Sequence, residues 1–122
     1  MICEYLNDWT EQQVFDTVAG HLLTQQRQAA RGDTCFYRLS DTELKCAAGC
    51  LIPDKEYTRD LEGETWHTLI RNQIVPLKHV ALICSLQRLH DEGGVTSWKD
   101  KLQIVAKDYG LEFKEKEYVS GG

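Results

Sequence analysis

No run of about 18 consecutive apolar residues occurs in the 122-residue chain, so no membrane-spanning helix is expected. The opening stretch MICEYLND lacks both a basic segment and an apolar core, which argues against a secretory leader. Low-complexity tracts and long blocks of like charge are missing too. With 42% hydrophobic and 27% charged residues, the composition is that of a folded domain and not of a disordered chain. Fourteen Lys and Arg against nineteen Asp and Glu leave a net charge of −5 with no basic cluster. General nucleic-acid binding is thereby disfavoured, because nothing concentrates positive charge against a phosphate backbone. The chain also has no phosphate-binding glycine loop, no Ser/His/Asp motif and no H-E-x-x-H sequence, so neither catalytic residues nor a cofactor are assigned.

Cysteine is present in an odd number, five, at Cys3, Cys35, Cys46, Cys50 and Cys84. Secreted disulfide frameworks carry even counts at higher density, so free thiols in a reducing cytoplasm are expected. Cys35, Cys46 and Cys50 invite a metal reading, yet only Cys46 and Cys50 have the spacing of a zinc knuckle and no second pair completes four ligands. No tightly bound zinc is expected there. A thiol nucleophile would need a histidine base nearby, and spacing does not assign His21, His67, His79 or His90 to that role.

At this length the chain reads as one domain, residues 1–122, with 1–8 and 120–122 as candidate flexible ends. Thr10 and Gln13 have capping-box spacing, and Val14, Phe15, Val18, Ala19, Leu22 and Leu23 follow at helical period. A helix from about Glu11 to Arg31, closed by Gly32, is predicted. Further helices are predicted from Thr65 to Asn72, from Pro76 to about Asp91, and from Ser97 to Tyr109 before Gly110. The second of these carries apolar residues on more than one stripe and reads as a central, nearly surrounded helix. Between the first two, Cys35–Arg38 and Leu44–Ala47 flank the turn-forming Ser40–Glu43 and predict a β-hairpin, with Cys35 opposite Cys46 and Tyr37 opposite Leu44. A short helical stretch should end near Pro53. Leu111 to Val119 is expected to add an edge strand or lie extended. The fold class is therefore α+β, mostly helical, with four principal helices and one hairpin.

The helical stripes are committed to a core, which leaves the irregular middle of the chain as the segment unexplained by packing. There Tyr37, Arg38, Lys45, Asp54, Glu56, Tyr57 and Glu62 mix charge with tyrosine, a combination suited to interface anchors and rims. These seven are the candidate contact residues. The acids Asp54, Glu56, Asp60 and Glu62 do not follow the spacing of a calcium loop and lack its central glycine.

The segment Cys35-Phe36-Tyr37-Arg38 … Leu44-Lys45-Cys46-Ala47-Ala48-Gly49-Cys50-Leu51-Ile52-Pro53-Asp54-Lys55-Glu56-Tyr57 … Glu62-Gly63 resembles small uncharacterised proteins of tailed bacteriophages and prophages. The later Leu86–Asp91 … Trp98 … Ala106–Leu111 resembles them as well. The resemblance implies a phage accessory protein in the bacterial cytoplasm that binds and inhibits a host or antiviral-defence protein without catalysis. Self-association into a homodimer is compatible with it. A pocket protein that sequesters a small signalling molecule and a thiol-dependent enzyme are the alternatives.

Overall fold

The computed structural model describes residues 1–118. The Thr10 hydroxyl accepts the Gln13 N–H at 3.1 Å while the Gln13 side chain accepts the Thr10 N–H at 2.8 Å, completing the capping box that opens α1 (Glu11–Gln25). The apolar stripe from Val14 to Leu23 is buried as the periodicity requires. α1 stops at Gln25 instead of Arg31. Gln26 adopts a left-handed φ of 54°, and the Gln25 amide is drawn away to the backbone of Lys45.

The residues beyond Gln26 turn into a small hairpin, β1 (Ala30–Arg31) with β2 (Thr34–Cys35). Its two-residue turn, Gly32-Asp33, uses the positive φ of Gly32, 59°. Cys35 is thus paired with Ala30, not with Cys46. The hairpin expected around Ser40–Glu43 is reduced to one antiparallel bridge, Arg38 with Lys45, flanked by Cys46 N–H to the Tyr37 carbonyl (3.2 Å) and Leu39 N–H to the Leu44 carbonyl (3.0 Å). Tyr37 therefore faces Cys46, not Leu44. The outward-facing backbone groups of this bridge are claimed by side chains, Glu62 on one side and Gln25 on the other, and so no longer ladder grows from it.

The remaining helices are α2 (Trp66–Arg71), α3 (Val80–Asp91), α4 (Trp98–Asp108) and the single turn α5 (Glu115–Tyr118). Together with the hairpin they make the fold α+β. Thr65 caps α2 through the Thr68 N–H at 3.1 Å. α3 starts at Val80 and not at Pro76, because His79 sits at φ 70° and its ring bonds the carbonyls of Leu6 and Trp9. Nor is α3 surrounded: Leu82, Ile83, Leu86, Leu89 and His90 are buried, while Ala81 and Arg88 are exposed. Ser97 precedes α4, but its hydroxyl bonds the Gly94 carbonyl and does not cap the helix. The other end of α4 closes as expected, with Gly110 at φ 66° and the Leu111 N–H on the Ala106 carbonyl at 2.7 Å.

α1 is the hub, in contact with α3, α4, α5 and the 3₁₀ turn Gly49–Leu51. Of the two expectations for Leu111–Val119, an edge strand or an extended run, residues 111–114 form an extended link, but α5 then follows where neither was expected; Val119 and residues 120–122 lie outside the described residues. The link is held because Gln12 exchanges two hydrogen bonds with the Glu112 backbone (3.0 and 2.9 Å), and Tyr118 donates to Asp16 at 2.6 Å. At the N-terminus, where a flexible tail was allowed for, Glu4–Asp8 forms a 3₁₀ turn with Cys3 and Leu6 buried. Among the described residues no helix is long and apolar enough to cross a membrane.

Candidate functional site

Glu62 organises the middle segment. Its two carboxylate oxygens accept the successive N–H groups of Tyr37 (2.9 Å) and Arg38 (3.0 Å), and the Tyr57 hydroxyl donates to it at 2.6 Å. Burial, followed by this bond, raises Tyr57 to about 12. Tyr37 itself is a core residue, edge-on to Trp66 and donating its hydroxyl to the Glu64 carbonyl at 2.6 Å. Glu56 is directed elsewhere, accepting the Cys3 N–H at 3.1 Å and so tethering the N-terminal turn.

Arg38, Lys45 and Asp54 converge. The Arg38 guanidinium lies 4.7 Å above the Tyr57 ring, donates to the Ile52 carbonyl at 2.8 Å, and meets Asp54 Oδ1 at 2.7 Å. Lys45 Nζ reaches the same Oδ1 at 3.5 Å. The Arg38 and Lys45 side chains are only 20% and 31% exposed, whereas Asp54 is 84% exposed. Lys45 and then Arg38 hold the Asp54 carboxyl below its usual range. Among the described residues, buried Arg38 Nε has no hydrogen-bond partner.

Lys45 is fixed from beneath by α1. Gln25 accepts its N–H at 3.0 Å and donates to its carbonyl at 2.9 Å, and His21 Nε2 donates to that carbonyl at 2.8 Å. Burial pushes His21 below its usual range, partly offset by this bond. Together these residues line an open groove of about 850 Å³ that also includes Thr17, Thr24, Thr42 and Cys50. Sequence reasoning missed His21 and Gln25. Gln25 lies three residues after buried Leu22, so helical period already placed it on the inward side of α1.

A second cavity, about 440 Å³, is lined by Cys35, Cys46, Cys84, Trp66, Arg88 and Asp91 among others. At its edge the ligand atoms of Cys35, His90 and Asp91 lie within 4.8 Å of one another. The hydrogen bonds show what this cluster does. His90 Nε2 accepts the Ala29 N–H at 3.2 Å, so the ring proton is on Nδ1, which donates to Asp91 at 2.8 Å. Metal on Nδ1 would force the proton to Nε2, against the Ala29 donor. Burial works to raise Asp91, but hydrogen bonds from His90, Cys35 and Gln87 outweigh it and hold the carboxyl low. The group is a polar knot joining β2 to the end of α3, with His90 stacked on Trp98 at 5.5 Å.

The five thiols are free, and each is pushed up by burial. Cys3 and Cys50 rise to about 12, and Cys35 to about 11 with the adjacent Asp91 adding to the effect. A carboxylate beside Cys35 is the reverse of the electropositive setting that creates a thiolate nucleophile. What the Arg38–Lys45 arrangement can do is present an anchored guanidinium and a neighbouring ammonium to an anion. No family model matches the chain, and neither a curated protein nor a solved structure does.

Proposed function

We propose that the chain is a non-catalytic accessory protein of phage type that binds and inhibits a host or antiviral-defence protein through the surface around Arg38, Lys45, Asp54 and Tyr57. The observation that carries this reading is the convergence of Arg38, Lys45 and Asp54 on one groove, with the Tyr57 ring backing Arg38 and Glu62 fixing the backbone of Tyr37 and Arg38. A tyrosine-backed arginine is the kind of anchor that interface centres favour, and a lysine and a carboxylate beside it suit the polar rim. The resemblance of residues 35–63 to small phage proteins supports the same reading, and the protonated thiols weigh against the thiol-enzyme alternative.

Affinity capture from a bacterial lysate tests it when wild type is compared with Lys45→Glu and, as a control elsewhere on the surface, Ile104→Glu on α4, where Ile104 is exposed. A partner retained by wild type and Ile104→Glu but lost by Lys45→Glu is expected. Equal capture by all three proteins refutes the site. The size of the groove and the two basic side chains on its wall also favour a second reading, the sequestering of a small anionic molecule.

A further inference from the structure

The Arg38–Asp54–Lys45 cluster is unevenly built. The Arg38 guanidinium is held, by the Ile52 carbonyl and the Tyr57 ring; Lys45 has its backbone N–H and carbonyl clamped by Gln25 and His21, while its ammonium reaches only Asp54. The anion is not held, because among the described residues no side chain but those two cations bonds the highly exposed Asp54 carboxylate. A single oxygen, Oδ1, serves both donors, well at 2.7 Å for Arg38 and poorly at 3.5 Å for Lys45. Exposed ion pairs of this kind contribute little, so swinging Asp54 away costs little.

We infer that the groove contains an oxyanion subsite for a small phosphorylated molecule, in which the Asp54 carboxylate occupies the phosphate position until the ligand arrives. A phosphate carries close to two negative charges and three acceptor oxygens, so it offers Arg38 and Lys45 an oxygen each where Asp54 offers one between them. The groove leading from the subsite is of mixed character, with Thr17, Thr24, Thr42 and Gln25 on its walls beside Leu44 and Cys50, and its lining includes no phenylalanine, tyrosine or tryptophan. The body of the ligand is therefore a hydroxylated group such as a sugar, not a base that needs an aromatic face. This inference deepens the sequestering alternative and stands independently of any protein partner.

Titration with inorganic phosphate and with ribose 5-phosphate, followed by amide NMR shifts at pH 7.5 and low salt, tests it. Saturable shifts centred on Arg38, Lys45 and Gln25 are expected, with ribose 5-phosphate the tighter of the two. Asp54→Asn removes the competing charge and should tighten binding about five- to tenfold, whereas Lys45→Ala should weaken it about tenfold or more. Both positions are partly or fully exposed, so both variants should fold. Shifts that do not saturate, that spread evenly over the surface lysines, or that weaken in Asp54→Asn overturn the subsite. Loss of phosphate binding alone leaves the protein-capture result standing, and the reverse also holds.

Discussion

Replacing Gly49 by alanine is the sharpest perturbation the fold offers. Gly49 opens a buried 3₁₀ turn, and a Cβ there would lie 2.0 Å from the Tyr37 carbonyl oxygen, 2.7 Å from its carbon and 2.9 Å from its Cα. Ordinary contact therefore requires more than about 1 Å of movement between two backbones. Neither side moves freely, since the Tyr37 carbonyl accepts Cys46 N–H, its N–H is held by Glu62, and its hydroxyl by the Glu64 carbonyl. Overpacking costs about 1–3 kcal/mol, and breaking the Cys46 and Glu62 links adds about 1–2 kcal/mol. The expected loss is about 2–5 kcal/mol, a large part of the stability of a small domain, with Tm falling by about 6–20 °C. Gly20→Ala is the matched control. Gly20 lies inside α1 with its nearest outside neighbour, Tyr118 Cδ1, at 3.9 Å, so alanine there should be neutral or stabilising by up to about 1 kcal/mol. Thermal and urea unfolding followed by circular dichroism measures both. If Gly49→Ala melts within about 3 °C of wild type, the close approach of these two segments is wrong.

Three further outcomes are expected. Glu62→Ala strips the Tyr37 and Arg38 N–H groups and the Tyr57 hydroxyl of their acceptor, and should cost about 2–4 kcal/mol in urea unfolding; a loss below about 0.5 kcal/mol contradicts the latch. Alkylation of Cys35 in the folded protein should be tens of times slower at pH 8 than after unfolding and keep rising toward its pKa of about 11, with Asp91→Asn faster; a plateau below pH 9 argues against the environment described. Because burial lowers His21 in the folded state, the unfolded chain binds its proton first as pH falls through about 6.5. Stability from this residue is therefore present above that pH and lost below it. The Tm drop between pH 7 and pH 5.5 should shrink in His21→Gln, and an unchanged drop assigns the effect to other groups.

Some beginnings and ends of elements were readable from local rules, although Pro76 and Ser97 do not open α3 and α4 as those rules suggest. Thr10 and Thr65 cap as their neighbours predict, and Gly110 with Leu111 closes α4 as a glycine stop should. The end of α1 was not readable that way, because Gln25, Gln26, Arg27 and Gln28 are good helix formers and the decision to stop belongs to a contact with Lys45, twenty residues on. Gly32 reads in sequence as the stop of the first helix, whereas Gly32-Asp33 is the turn of the hairpin; the pairing expected around Ser40–Glu43 is cut short by glutamine and glutamate side chains standing where neighbouring strands would be. For the candidate site, composition singled out a segment without its division of labour. Asp54 and Glu62 look alike in sequence, yet one faces solvent across two cations and the other is consumed by backbone N–H groups.

The packing of α5 on α1 places a constraint on how the chain is made. Gln12, Asp16 and Thr24 find partners in Glu112, Lys114 and Tyr118, so the hub helix has one flank that nothing covers until the far end of the chain has been synthesised. At about 5–20 residues per second, the stretch from Gln25 to Tyr118 takes about 5–20 s. During that interval Phe15, which packs edge-on against Phe113 and Tyr118, has neither ring beside it. Nascent chains are accordingly exposed to chaperones and proteases for seconds before the first helix is sealed, and the abundance of the protein in a cell will follow the pace of its translation as well as its equilibrium stability.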